Sequence, residues 1–210
     1  RDEDSRKDRQ PEFTQIDIEF SNANPEIVKK NIETIVKFVF KDAYDIKIDS
    51  AFKNMTFSEA ISLYGTDKPD LRIKETVNDC TEVFKTTEIN FLSDILNKRG
   101  VVRYLKTDDS LTRKIIDQLD QELKELGSSG LGWFKIDNSE ISGPLSKLIS
   151  VSEKDFLISQ GNGVFLFQAG PEIEIAPFLD HIRRYIFKPT TEQQFSFCWI
   201  DNFPYFEVEN

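Results

Sequence analysis

The chain has 210 residues, with 37 acidic against 27 basic side chains, a net charge of −10 and a pI near 4.8. That length allows one sizeable core or two small ones, and the acidic balance argues against the broad basic surface of non-specific nucleic-acid binders. It leaves room for nucleic-acid contact through a local basic loop, while no apolar run approaches the ~18 residues of a membrane span.

The chain opens on Arg1 and Glu3, passes through a charge-dense loop carrying Arg6, Lys7 and Arg9, and resumes at Phe13. From Phe13 to Ser21 the residues alternate. Thr14, Ile16, Ile18 and Phe20 take one side, and Gln15, Asp17 and Glu19 the other, the period of a half-buried strand. Carboxylates and guanidinium groups converging on one sheet face suit a ligand that is both phosphorylated and zwitterionic. Asn24-Pro25 then reads as a helix start, a side-chain cap followed by a proline whose missing N–H costs nothing there. Ile27, Val28, Ile32, Ile35, Val36, Val39 and Phe40 follow at helical spacing and predict a core-facing helix behind the sheet.

Thr56 and Glu59 form a capping-box pattern for a short helix ending near Tyr64, with Gly65 as the stop. Thr66 to Asp70 is a rigid turn in which Pro69 fixes the exit and Asp67 and Asp70 are placed to cap amides. From about Thr81 the pattern changes to alternating strands and helices. A helical segment holds Leu92, Ile95 and Leu96, and a strand runs from Val101 to Leu105. Asp109 or Ser110 opens a helix through Leu126 that Gly127 ends. A strand covers Leu131 to Ile136, and Pro144 starts a short helix. A Gly161-Asn162-Gly163 turn precedes a strand from Val164 to Phe167, and a last helix spans Ile173 to Ile186 with a break or late start at Pro177. A strand from Phe195 to Ile200 closes the chain. This is an α+β pattern with a self-contained unit in its middle. Cys80, Cys198 and the single His181 read as buried thiols and a helix residue, not as a disulfide or a zinc ligand set.

Three separated strings, in order, carry a resemblance. Arg1 and Glu3 with Arg9 and Phe13 resemble motif 2 of the class II aminoacyl-tRNA synthetases, within them the bacterial-type aspartyl enzymes. YGTDKPDLR at Tyr64 to Arg72 and WIDNFPYFE at Trp199 to Glu207 are the other two. The resemblance implies an α+β chain: part of the class II antiparallel sheet core over residues 1–80, a GAD-type α+β insertion over 81–192, and a return to the core over 193–210. GLGWFKI and GPLSKLI carry the likeness to the insertion, which is also found in the B subunit of a tRNA-dependent amidotransferase.

In that reading the complete enzyme joins L-aspartate to ATP as aspartyl-adenylate and passes it to the 3′ end of tRNA(Asp). Two anions must approach, so the site needs a fixed cation between them. Arg1 is the expected catalytic residue, bridging the α-phosphate and the substrate carboxylate through its fork of donors. Asp2, Glu3, Arg9, Gln10 and Phe13 complete the expected ATP site. Arg9 holds the γ-phosphate, Glu3 sits near the adenine amino group and Phe13 stacks on the ring. Gln15 and Asp17 join Arg1 in the aspartate pocket, and Asp4 and Arg6 meet the tRNA acceptor end. The Arg1 guanidinium and the row of acids and amides beside it are expected to share one concave floor, with the Asp2 side chain pointing away.

Magnesium is implied as a cofactor, with ligands outside the chain. The segment is expected to be a piece of a longer homodimeric enzyme and to be inactive alone. Alternatives are an enzyme that charges both tRNA(Asp) and tRNA(Asn), and a non-catalytic tRNA- or protein-binding module built on the insertion. The bacterial-type insertion implies bacterial cytoplasm or an organelle of bacterial descent, and departures at Ser5, Lys7 and Thr66 favour the mitochondrial matrix.

Overall fold

The asparagine–proline pair at 24–25 starts α1 (Pro25–Tyr44): the Asn24 side chain accepts from the Ile27 N–H at 2.9 Å. Asp45 stops it in the left-handed region, its N–H reaching back to Lys41 and Phe40. The structure, a computed structural model, describes residues 12–108, 111–189 and 195–206, and its chain divides into two compact units between Ala51 and Phe52.

In the first unit two expectations are corrected. Residues 13–20 form no strand, and Ile16 is 80% exposed. No residue of α1 is buried: Val28, Ile32, Val36 and Phe40 make a half-buried stripe, and Ile27, Ile35 and Val39 are exposed. The two departures have one cause. A strand persists only with neighbours to pair its backbone and cover its apolar face, and no strand pairs with 13–20 among the described residues. The alternation is in the sequence, but no sheet forms on it among the described residues.

The second unit is built on a five-stranded antiparallel sheet in the order β2-β3-β6-β4-β5, from β2 (Asn78–Asp79), β3 (Val101–Thr107), β4 (Gly132–Asp137), β5 (Glu140–Ser142) and β6 (Gly163–Gly170). Its central strand reads Gly-Val-Phe-Leu-Phe-Gln-Ala-Gly, apolar on both faces. Phe165 and Phe167 point into one core with Val102, Tyr104, Phe134 and Ile136. Val164 and Leu166 point into the other with Leu105. Helices cover both faces. Leu92 of α3 (Asn90–Asn97) and Leu157 of α5 (Val151–Ser159) fill the first core. Leu119 and Leu123 of α4 (Arg113–Glu125) and Leu179 and Ile182 of α6 (Glu172–Ile186) fill the second. A strand buried on both faces loses the alternation that marks a half-buried one.

Boundaries shift where capping was misjudged. Thr112 caps α4, its hydroxyl accepting from Ile115 N–H; the expected openers Asp109 and Ser110 lie outside the described residues. Pro144 starts no helix, since 143–148 is a run of turns. The helix begins at Val151, where Ser150 and Glu153 form a capping box with Glu153 almost fully buried. Asn138 and Ser139, both at positive φ, make the two-residue turn of an unforeseen β4–β5 hairpin. The last helix runs through Pro177 without a break.

A smaller element joins the ends of this unit: β1 (Lys53–Thr56) pairs in parallel with β7 (Cys198–Asp201), Met55 opposite Ile200. The closing strand thus starts three residues later than its sequence pattern. The capping box of Thr56 and Glu59 opens α2 (Phe57–Tyr64), and Gly65 ends it at φ +74°, donating to Ile61 O at 2.9 Å. Gly65 lies against α6, where a Cβ would stand 2.4 Å from Ala176 O and 2.7 Å from Asp180 N. Beside it the fully buried Arg183 donates to three carbonyls: Glu75 O at 2.6 Å, Ile73 O at 2.7 Å and Asp70 O at 2.8 Å. Its guanidinium lies 4.9 Å from the centre of the Tyr64 ring.

Replacing Arg183 by Met strands those acceptors; the expected loss is about 3–5 kcal/mol, read as a lowered urea midpoint. Gly65→Ala adds backbone strain of about 1–2 kcal/mol to a contact that cannot relax without separating α2 from α6, and is expected to lower the melting temperature.

Candidate functional site

Most of the residues expected to perform chemistry, Arg1, Asp2, Glu3, Asp4, Arg6, Arg9 and Gln10, lie outside the described residues. Of the remaining three, Phe13 is half-buried, and Gln15 and Asp17 are exposed. Without a strand through 13–17, the alternation that would set Gln15 and Asp17 on one face is not realised.

The YGTDKPDLR string is fully described and is held tightly. Asp70 accepts from the Arg72 backbone N–H at 3.0 Å, from its Nε at 2.9 Å and, through the other oxygen, from its Nη2 at 2.7 Å. The Arg72 side-chain donors are the main reason the Asp70 carboxyl lies below its ordinary range; burial opposes them, and the Arg72 amide adds to them. Of the two aspartates placed to cap amides, Asp70 does so here. Thr66 Oγ1 accepts from Lys68 N–H, leaving the Lys68 side chain outward. This string is a clamped turn; Arg183 holds its Asp70 carbonyl together with those of Ile73 and Glu75 just beyond it.

Elsewhere a cleft of about 690 Å³ opens at the start of β4 and the end of β6, lined by α3 residues from one face of the sheet and α4 residues from the other. Trp133, Phe91, Ile95, Leu145 and Phe167 give it apolar walls, and Gly130 and Gly132 line it with backbone. Gly132 is required, since a Cβ there would lie 2.2 Å from the Phe167 ring. Gln168 fixes the neighbouring turn, donating to Gly130 O at 2.9 Å and accepting from Ser128 Oγ at 3.1 Å. Asp120 accepts from Leu131 N–H at 2.7 Å and from Lys124 Nζ at 2.6 Å. Burial pushes its carboxyl up, but those two donors with the Lys124 and Arg113 charges outweigh it and hold it below the ordinary range.

Sequence reasoning missed this cleft because its residues come from four separate elements. The one local signal was Gly130-Leu131-Gly132-Trp133, in which Gly132 makes room for the Phe167 ring. Among the described residues no group of three His, Cys, Asp or Glu side chains converges as a metal site. His181 is paired with Glu122 at 3.0 Å.

An α+β chain with an antiparallel sheet and three ordered motif strings is the class II synthetase kind of architecture. Residues 1–209 match the tRNA synthetases class II (D, K and N), and the chain belongs to that family. It is 35% identical over 99% of its length to an aspartate–tRNA(Asp/Asn) ligase of Hydrogenobaculum sp. (strain Y04AAS1), covering 36% of that protein. It is 36% identical over 99% of its length to an aspartate–tRNA ligase of Thermosipho africanus (strain TCF52B), covering 37%. An aspartate–tRNA(Asp/Asn) ligase of Borreliella afzelii (strain PKo) is also 36% identical, with all of the chain aligned to 37% of it. The chain therefore spans little more than a third of the length of these curated relatives.

The Asp70 clamp gives a pH signature. Its folded pKa is depressed, so its stabilisation is complete above the ordinary carboxylate value of about 4 and is lost as pH falls through the lower folded value. Asp70→Asn is expected to be less stable than the parent at pH 7 and to lose less on acidification. Melting temperatures measured across the acid range check this.

Proposed function

We propose that the chain is the central segment of an aspartate–tRNA ligase, which activates L-aspartate with ATP and transfers it to the 3′ end of tRNA(Asp). The observation that carries this reading is the alignment of nearly the whole chain, at about 35% identity, with proteins of that name. On this reading Arg1 bridges the α-phosphate and the attacking carboxylate, and Arg9, with Gln10, grips the γ-phosphate. Phe13 stacks on adenine with Asp2 and Glu3 nearby, Gln15 and Asp17 line the aspartate pocket, and Asp4 and Arg6 touch the acceptor end. Adenylate formation then rests on charge placement rather than on a general base. Magnesium supplies further charge neutralisation on the phosphates, through ligands beyond this segment.

Residues 81–192 are the GAD-type insertion, flanked by catalytic core over 1–80 and 193–210. The strand alternation over 13–21 and the apolar stripe of α1 fit a sheet completed by other parts of the longer protein, which we read as a homodimer of the mitochondrial matrix. A second reading, charging of both tRNA(Asp) and tRNA(Asn), is favoured by the names of two of the relatives. A binding module without chemistry is disfavoured by the intact Arg1, Glu3, Arg9 and Asp17.

The test is aspartate-dependent ATP–pyrophosphate exchange by the full-length protein, followed by charging of tRNA(Asp) and tRNA(Asn) transcripts. Exchange is expected in the full protein and none in the isolated 210-residue segment. Arg1→Ala should lower exchange about 10²–10³-fold, the scale on which a preorganised charge donor acts. Exchange by the full-length protein unaffected by Arg1→Ala would overturn the assignment of Arg1; no exchange at all would favour the binding module.

A further inference from the structure

We propose that Asn162 is a site of spontaneous deamidation: the Gly163 amide closes on its side chain as a succinimide, which water opens to aspartate or isoaspartate. Gly161-Asn162-Gly163 makes the turn between α5 and β6, and Asn162 is exposed there. The residue after it has no Cβ to hinder the approach of its nitrogen. Gly163 is also fixed as glycine. Its φ is +144°, and a Cβ would stand 2.6 Å from Thr107 O on the neighbouring strand β3. The fold therefore keeps the Asn-Gly pair in place.

Asn162 Oδ1 accepts from the Asn138 N–H of the β4–β5 turn at 3.1 Å. That bond draws electron density from Cγ, the atom to be attacked, and stabilises the charge that gathers on Oδ1 as the attack proceeds. Gly163 is the end rung of the β4–β6 ladder, opposite Ile136, and the β3 pairing stops one residue short of it. Its N–H is freed by fraying a single rung, where strands open most readily. The Gly163 nitrogen gives its proton to solvent and bonds to Asn162 Cγ, and the side-chain nitrogen leaves as ammonia. Water then cleaves the imide. Breaking the bond to Cγ yields aspartate, and breaking the bond to the main-chain carbonyl carbon yields isoaspartate. One water is consumed and one ammonia released. Aspartate keeps an acceptor for Asn138, whereas isoaspartate adds a methylene to the main chain at the entrance to β6 and parts the hairpin turn from it. Asn138-Ser139, also exposed, is the internal control: its attacking residue carries a Cβ, and Asn138 Nδ2 is engaged by Asp137 Oδ1 at 3.1 Å.

The experiment incubates the full-length protein in mildly alkaline buffer, digests it with trypsin and follows two peptides by mass. Peptides 155–183 and 136–147 hold Asn162 and Asn138 as their single asparagines. Peptide 155–183 is expected to gain the mass difference between an amide and an acid at least about fivefold faster than 136–147, the scale of glycine's conformational freedom. The product is expected to contain isoaspartate, identified by fragmentation. Asn162→Gln, at an exposed position, should abolish the gain in 155–183, because the longer side chain has to close a larger ring. No gain in 155–183, a gain no faster than that of 136–147, or a gain that survives Asn162→Gln overturns the site. A product holding aspartate alone overturns the succinimide step. The readout is a peptide mass, so it is independent of the proposed ligase activity.

Discussion

Arg183 is the constraint on which the second unit depends. Its side chain is fully buried and spends two of its three nitrogens on the carbonyls of Asp70, Ile73 and Glu75, groups that a turn buried against a helix would otherwise leave unsatisfied. A guanidinium suits this task because its donors lie in one plane and fan outward, where an ammonium would gather them at one point. The arrangement carries a cost. Arg183 Nη1 and Asp180 Oδ1 are both buried without hydrogen-bond partners, and burial pushes the Asp180 carboxyl up against the pull of Arg184 and Arg183. The protein keeps it because a single side chain on α6 fastens the turn after α2 across more than a hundred residues of sequence. The Gly65 contact completes the joint by bringing α2 and α6 together at backbone distance.

That joint bears on how the chain is divided. The sequence reading drew a boundary near residue 80, where the pattern turns to alternating strands and helices. Arg183 belongs to the far side of that line and the carbonyls it holds to the near side. The division into compact units, between Ala51 and Phe52, is a different partition, and Arg183 ties the two sides of the residue-80 line together within one of those units.

Legibility varied with the range of the interaction that decides each element. Asn24-Pro25 and the Thr56–Glu59 box were readable because capping is settled within four residues. The same box at Ser150–Glu153 was equally local and was passed over in favour of Pro144, a residue that permits a helix start without requiring one. The alternation over 13–21 failed for the opposite reason: a half-buried strand is a statement about neighbours, and the pattern does not supply them. The buried sheet fared better, since long apolar runs such as Val164 to Phe167 find partners on either side. Of the candidate site, the motif strings were legible and the cleft was not. Strings are contiguous, whereas the residues that line the cleft come from elements on both faces of the sheet and are placed only once it has formed.

The pairing of β1 with β7 has a kinetic consequence. These strands come from opposite ends of the second unit and lie parallel, so nothing near them in sequence helps to bring them into register. Closing so long a loop carries an entropic penalty that is small only once the intervening chain is already compact. The five-stranded sheet and its helices must therefore condense first, and the two short strands zip together afterwards as a late seam. During synthesis β1 waits, unpaired, until nearly the whole unit has left the ribosome.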